Sequence, residues 1–292
     1  MKILITGVAG LLGARMAEWI LLNKPDARVI GIDDLSGGFR DNVPQGVEFI
    51  QKDLAEAELG SVFKGGVDYV FHFAAYAAEG LSPFIRCYNY RNNVIATANL
   101  INASLEHGVG RFIFTSSMAT YGDGKPPFDE RDELKPIDPY GIAKLACEMD
   151  LRVANEQHGL EYCIIKPHNV YGRGQNIWDR YRNVLGIWMY NILNGEPITI
   201  YGDGKQTRAF SYIDDSLEPL WNSAENPEAA GEIFNLGGIE EIEICEAARA
   251  LSDIAGGVEI KYLEARHEVK HAWSTWGKSV DILDFQYKTP LE

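Results

Sequence analysis

Three scarcities narrow the reading of this 292-residue chain before any motif is considered. Cysteine is scarce: Cys87, Cys147, Cys163 and Cys245 stand far apart and form no C-x-x-C pair. That argues against a zinc site or a disulfide framework and fits a reducing compartment. Basic residues are outnumbered, 27 Lys and Arg against 42 Asp and Glu, for a net charge of -15. No basic patch would collect phosphate energy, so nucleic acid is not an expected partner. An anionic ligand would need local arginines and helix N-termini to bind against the overall field. Long apolar runs are missing as well. None reaches the length of a membrane span, and the start of the chain lacks a signal-peptide pattern. A cytoplasmic protein with no membrane partner and no metal site is expected.

What is present is ordinary for a soluble globular protein, with 46% apolar and 24% charged residues. The length allows a large core. Strand patterns at 2–6 (KILIT), 27–33 (ARVIGID), 48–53 (EFIQKD), 68–74 (DYVFHFA), 111–117 (RFIFTSS) and 161–167 (EYCIIKP) alternate with helical patterns at 11–22, about 85–107 and 140–158. The strands are uniformly apolar, as expected when helices cover both faces. Such alternation predicts α/β architecture with a doubly wound parallel sheet. After Pro167 the texture changes to Gly, Asn, Trp and Tyr. Two domains are expected: 1–167 plus about 209–238, with EIFNLGG returning to the main sheet, and a smaller lobe of 168–208 plus about 239–292. From 239 the pattern reads helix, strand (VEIKYL), then loop. The close, LDFQYKTPLE, is abrupt, and a further terminal helix is expected beyond it. There is no internal repeat.

The glycine run GVAGLLG, with Gly7, Gly10 and Gly13, directly follows the first strand and opens the first helix. Glycine permits the tight turn and lets a phosphate approach backbone N–H groups at a helix N-terminus. Asp33 closes the second strand, where a carboxylate can accept two ribose hydroxyls and repel a 2′-phosphate. This favours NAD, while nearby Arg40 keeps NADP open. Asp53, at the end of the third strand, is placed either to meet an adenine or to cap the strand. YGIAK (140–144) puts Tyr140 and Lys144 on one helix face, a turn apart. An ammonium beside a phenol favours the phenolate and makes a base. By itself the pair also suits an amphipathic surface helix.

The glycine pattern, TSS at 115–117 and YGIAK together resemble the extended short-chain dehydrogenase/reductase family. The closer likeness is to NAD-dependent nucleotide-sugar epimerases of the UDP-glucose 4-epimerase type. DDLSGG, HFAA, NNV, KPHNVYG and YGDGKQTRAFSYIDD extend it from Met1 to about Lys270. The resemblance implies a Rossmann-type sheet with a smaller C-terminal substrate-binding lobe, NAD as cofactor and a UDP-linked sugar as substrate. It implies a catalytic trio of Ser117, Tyr140 and Lys144. Tyr140 would take a sugar hydroxyl proton, Lys144 would lower the tyrosine pKa and hold the nicotinamide ribose, and Ser117 would steady the reacting oxygen. Gly7, Gly10 and Gly13 would cradle the pyrophosphate, helped by the Leu12 N–H, with Asp33 on the adenosine ribose. Asp53 and Leu54 would flank the adenine. Phe73, Ala74 and Ala75 would line the groove, and Pro167 would lie beside the carboxamide. Asn93 would anchor the active-site helix through water. On the substrate side, Asn169 and Arg208 would meet the diphosphate. Asn183 and Val184 would open the lobe, Thr199 to Tyr201 would read the base, and Arg266 with Glu268 would hold phosphate and ribose. A homodimer built on the helices near 85–107 and 140–158 is implied too.

Dehydratases of this family place an Asp-Glu pair right after the serine or threonine of the TSS-like strand; here stand Met118 and Ala119, which cannot move a proton. What remains is transient oxidation and return of hydride, that is 4-epimerisation. A 4-keto-sugar reductase with the same trio, or epimerisation at another carbon, stays open. A non-catalytic dinucleotide sensor would have to lack part of the trio, which is complete. Several positions depart from the epimerase pattern: Ala77 in place of a common lysine, Lys166 and Ala209 in place of arginine and aspartate, His168 near the expected nicotinamide, and the aromatic, charged stretch QNIWDRYRNVLGIW. Glu79 is either an extra acid/base for carbon 3 or 5 or a loop salt bridge.

Overall fold

The computed structural model describes residues 1–179, 181–266 and 268–291. Six strands of the first half are β1 (Lys2–Thr6), β2 (Arg28–Asp33), β3 (Glu48–Gln51), β4 (Tyr69–His72), β5 (Arg111–Thr115) and β6 (Tyr162–His168). Short strands follow: β7 (Val170–Tyr171), β8 (Ile198–Tyr201), β9 (Thr207–Arg208), β10 (Ser211–Tyr212), β11 (Ile233–Gly237), β12 (Ile242–Glu243), β13 (Ile260–Leu263) and β14 (His271–Ala272). The helices are α1 (Leu11–Asn23), α2 (Gly60–Phe63), α3 (Arg86–Tyr90), α4 (Ala96–Glu106), α5 (Pro139–His158), α6 (Val184–Leu193), α7 (Ile213–Glu225), α8 (Ile244–Ile254) and α9 (Gly277–Leu283).

The main sheet has seven strands in the order β11-β6-β5-β4-β1-β2-β3, and every pairing in it is parallel. It is a Rossmann-type α/β sheet, reversing direction of winding at β1. Its two faces have separate apolar cores. Met16 and Ile20 of α1, Leu217 and Trp221 of α7 and Leu283 of α9 cover one. Phe63 of α2, Leu100 of α4 and Cys147 and Leu151 of α5 cover the other. This explains why the strands read as unbroken apolar runs. The strands end sooner than those runs do. β4 stops at His72 and β5 at Thr115, which leaves Phe73 to Ala75 and Ser116 to Ser117 as loops at the carboxyl edge. That edge is where open α/β sheets place ligands.

The smaller lobe has its own core around Leu185, Trp188, Ile198, Ile200 and Phe210. β13 pairs in parallel with β8, and β9 lies between β12 and β14. The reading of the tail as a loop is corrected here: β14 and α9 are formed. Leu283 and Phe285 pack into the main-sheet core. The α9 stretch of the 239–292 segment therefore packs with the main domain, while Leu291 beyond it packs against the lobe core. Elements this short carry too little periodicity to be read from sequence.

Candidate active site

β1 passes into α1 through the glycine run. Gly7 has a φ of +71°, and a Cβ there would come within 2.7 Å of the Ala74 backbone nitrogen. A Cβ on Gly13 would lie 2.2 Å from the Gly7 carbonyl oxygen. Only hydrogen fits at either position. No side chain caps α1, whose first turn holds no acid, so its leading N–H groups face the open side. Asp33 accepts hydrogen bonds from Ala9 N (2.9 Å) and Leu35 N (2.8 Å), which pins the glycine loop to the end of β2. Burial pushes its carboxyl up from the usual range, and these two bonds oppose the rise.

The end of β5 and the start of α5 open on the same side. Asp138 caps α5, its Oδ1 accepting from Tyr140 N at 2.8 Å and Gly141 N at 2.9 Å, and Pro139 fills the first turn where no N–H is needed. The cap fixes Tyr140 at the helix mouth and Lys144 one turn further in. Ser117 lies beside the Tyr140 phenol and favours its ionised form, while its Oγ accepts from Ala119 N at 3.1 Å. The Lys144 Nζ donates to Thr115 O at 2.8 Å and lies 5.9 Å from the Tyr140 ring centroid. Both side chains are buried. Burial holds the Tyr140 phenol well above its ordinary value. Ser117 works against this, Glu79 and Asp138 add to it, and Arg182 offsets a part. Lys144 stands beneath the phenol ring. Its ammonium turns to the Thr115 carbonyl, and burial pushes it down to about 8. Behind the trio, Ser116 Oγ donates to Glu148, and Lys166 Nζ stands 3.3 Å from Glu148 Oε2, both ions being fully buried. Removing one member of such a pair costs about 3–5 kcal/mol.

These features border one cleft of about 850 Å3 between the sheet edge and the lobe. On its far wall Arg208 donates to Thr207 O (2.8 Å) and Lys270 O (3.3 Å). Glu268 is the common counter-ion, 3.6 Å from Arg208 and 3.3 Å from Arg266. The Arg266 guanidinium lies over the Tyr201 ring at 4.4 Å. Asn183 caps α6 through Gly186 N at 3.0 Å and donates to Val170 O at 2.7 Å, just before Val184. The Thr199 carbonyl takes the Trp188 indole N–H at 2.8 Å. Asn169 has a φ of +31° and donates to Ala209 O at 2.8 Å. Two asparagines latch the lobe to the loop after β2: Asn42 reaches Gly174 O (3.0 Å), and Asn176 reaches Gly37 O (2.9 Å).

The sequence matches the NAD dependent epimerase/dehydratase family over residues 3–237. The chain belongs to that family. Among its relatives, an uncharacterized UDP-glucose epimerase of Bacillus subtilis is 30% identical over 305 residues, covering 100% of this chain and 95% of that protein. The solved UDP-glucose 4-epimerase of Thermotoga maritima, with UDP-glucose, superposes with a TM-score of 0.94 at 30% identity, over 100% of this chain and 95% of that one. The UDP-glucuronic acid 4-epimerase of Bacillus cereus, with UDP-glucuronic acid and NAD, gives 0.92 at 28% identity, over 100% and 95%. The cleft fits the family's dinucleotide. The two glycine positions that a Cβ would fill, the uncapped helix start and the Asp33 carboxylate form a cradle of the right chemistry for a pyrophosphate and a ribose. The Arg40 guanidinium lies across the Phe49 ring at 4.4 Å, and it is the Asp33 carboxylate that disfavours a 2′-phosphate.

Every candidate site residue from the sequence borders the cleft except Asn93. Asn93 is buried behind the wall, bonded to Tyr76 N (3.0 Å) and Asn89 Oδ1 (2.9 Å). Its neighbour Asn89 makes the link to the active-site helix, through Pro139 O at 2.9 Å. Asp53 lines the cleft but is paired with Arg91 at 2.6 Å. His168 is not in the cleft. It is bonded to Ser274 at 2.6 Å and pushed down to about 4 by burial, so it stays neutral. Lys166 serves the buried pair with Glu148. Two contributors escaped sequence reading. Asp138 was signalled by the Asp-Pro start of the helix. Arg182, over the Tyr76 ring at 5.2 Å, sits in the aromatic stretch already singled out, whose Arg180 lies outside the described residues.

Proposed function

We propose that the protein is an NAD-dependent nucleotide-sugar 4-epimerase acting on a UDP-linked hexose through a transient 4-keto sugar. The observation that carries this reading is the meeting of Ser117, Tyr140 and Lys144 at the end of the glycine cleft, followed by Met118 and Ala119. When bound, NAD supplies a reversible hydride acceptor for carbon 4. Tyr140 Oη takes the proton from the carbon-4 hydroxyl and later gives it back. Ser117 Oγ orients that hydroxyl. Lys144 holds the end of β5 through Thr115 O and keeps a positive charge beneath the tyrosine ring. Gly7, Gly10, Leu12 and Gly13 hold the pyrophosphate by their backbone, Asp33 the adenosine ribose, and Asp53 with Leu54 the adenine side. Phe73, Ala74, Ala75 and Pro167 flank the nicotinamide. Arg208, with Asn169, holds the sugar's diphosphate. Glu268, Arg266 and the Thr199–Tyr201 strand hold the ribose and base. With no acid or base at 118 and 119, carbons 5 and 6 are left untouched, which separates this reading from a 4,6-dehydratase.

The test is proton NMR of the protein with UDP-glucose, UDP-galactose, their N-acetyl and uronic-acid forms and GDP-mannose, without added reductant. One sugar should equilibrate with its 4-epimer, and Tyr140→Phe should slow this by about 1,000-fold with the fold unchanged. Conversion only when NAD(P)H is consumed would replace this reading with a 4-keto-sugar reductase.

A homodimer is part of the proposal. Tyr88 and Ile95 on the α3–α4 run, with Ile142, Met149 and Val153 along α5, are apolar, large and exposed on neighbouring helices. Sedimentation should give twice the chain mass, and Met149→Glu with Val153→Glu should halve it. Four free thiols and the absence of any helix long and apolar enough to cross a membrane among the described residues support a cytoplasmic setting.

A further inference from the structure

Glu79 lies in the short helical turn 79–84, in the wall of the cleft next to Ser117 and Tyr140. Its place is fixed through Ser82. The Ser82 hydroxyl donates to Glu79 O at 2.8 Å and accepts from Tyr140 N at 3.2 Å. The same Ser82 hydroxyl approaches the carboxylate of Asp138, the cap of the catalytic helix, at 3.4 Å, and Glu79 and Asp138 act on one another's titration. Glu79 is not a loop salt bridge: the charge it feels most is another carboxylate, and Arg208 and Arg266 act on it only behind that, with Glu268 opposing them. Glu79 is also the charge acting most strongly on the Tyr140 phenol. A sugar that presents carbon 4 to Tyr140 must hold the substituent of its neighbouring carbon 5 within a few ångströms of the same point. In a neutral hexose that substituent is a hydroxymethyl group; in a hexuronate it is a carboxylate. Arg182, whose charge also acts on the Tyr140 phenol, is already paired with Asp179 at 3.0 Å.

We propose that Glu79 selects the sugar: its carboxylate accepts hydrogen bonds from the hydroxyls of a neutral hexose and turns away a hexuronate. The inference rests on the 4-epimerase reading and divides its two nearest substrate classes. The Glu79 side chain is exposed to the open cleft, so water weakens the upward push that the surrounding protein and the Asp138 charge give its carboxyl. The groups facing it are Asp138, Tyr140, Arg208, Arg266 and Glu268. Protonation as the pH falls therefore relaxes the selection.

The experiment compares initial rates for UDP-glucose and UDP-glucuronate by proton NMR, at pH 6 and pH 8, for the full chain and for Glu79→Gln. At pH 8 the kcat/KM for UDP-glucose should exceed that for UDP-glucuronate by about 100-fold, as expected for like charges held within one site. The ratio should fall by about 5-fold at pH 6 and by about 10-fold in Glu79→Gln, mainly through a lower KM for the uronate. If Glu79→Gln fails to fold, the pH dependence of the unmodified protein decides. Equal or better turnover of the uronate, or a ratio unmoved by both pH and substitution, overturns the inference and leaves the 4-epimerase reading standing. If no nucleotide sugar of the wider panel equilibrates, that reading falls and this one with it.

Discussion

The two walls of the cleft are built in different ways. The sheet wall presents backbone: the glycine turn tied to β2 through Gly7 N and Ile32 O, the start of α1, the Thr115 carbonyl held by Lys144, and the α5 mouth capped by Asp138. The lobe wall presents long side chains from separate segments: Arg208 held by the Thr207 and Lys270 carbonyls and Glu268, and Arg266 by Glu268 and the Tyr201 ring. The first wall tolerates almost no change of shape. The second can change its ligand by changing its side chains. A fold that must hold one cofactor and accept different sugars needs both kinds of wall.

The comparison can be broken at the sheet wall first. Gly13→Val pushes a side chain into the Gly7 carbonyl, which is backbone and cannot yield. NAD affinity should drop by at least about 100-fold by calorimetry, because the helix start can no longer receive the pyrophosphate. UDP binding at the lobe should hold within a few-fold, and its collapse would show that the walls are not independent. At the lobe wall, Arg208→Lys keeps the charge but loses the guanidinium fork. Here KM should rise about 10-fold while kcat stays within about 3-fold. A loss confined to kcat would instead tie Arg208 to the chemistry. The smallest effect sharpens the sheet wall. Burial pushes Lys144 from its ordinary 10.5 to about 8. Activity should decline as pH rises through about 8, since the folded protein then loses the charge under Tyr140. Stability should move the other way. Between about 8 and 10.5 the unfolded chain keeps a proton the folded one has released, so this group's contribution to stability grows with pH. Melting temperatures at pH 8 and pH 10, compared with Lys144→Met, isolate that slope.

The same division decides what could be read in the sequence. The glycine spacing, Asp33, TSS and YGIAK are local signals, and the parallel sheet follows from apolar runs whose two faces are both covered. They were legible because each lies within one strand-turn-helix unit. Asn93 stands behind the cleft wall and not on it, because a helix position does not say which side of a wall the side chain takes; Tyr76 and Asn89 claim its amide. His168 looked functional because it adjoins Pro167, but alternate residues of a strand point to opposite faces. Glu79 was an ambiguous loop acid in the sequence. Its meaning depends on Asp138, a partner from a distant segment of the chain. The tail helix α9 was missed because one short turn-and-helix carries no period long enough to read.

The buried Glu148–Lys166 pair also governs how this corner of the protein breathes. Glu148 stands one turn beyond Lys144, bonds Ser116 beside Ser117 and faces Lys166 on the adjacent strand. Peeling back the start of α5 would strand an ion in the interior, so partial opening there is suppressed. Amide protons around 144–148 should therefore exchange with solvent only when the whole sheet unfolds. Those of the lobe loops, held by exposed side chains, should exchange through small, frequent openings. The catalytic corner is thus the last part of the molecule to come apart, and the sugar-reading wall is among the first.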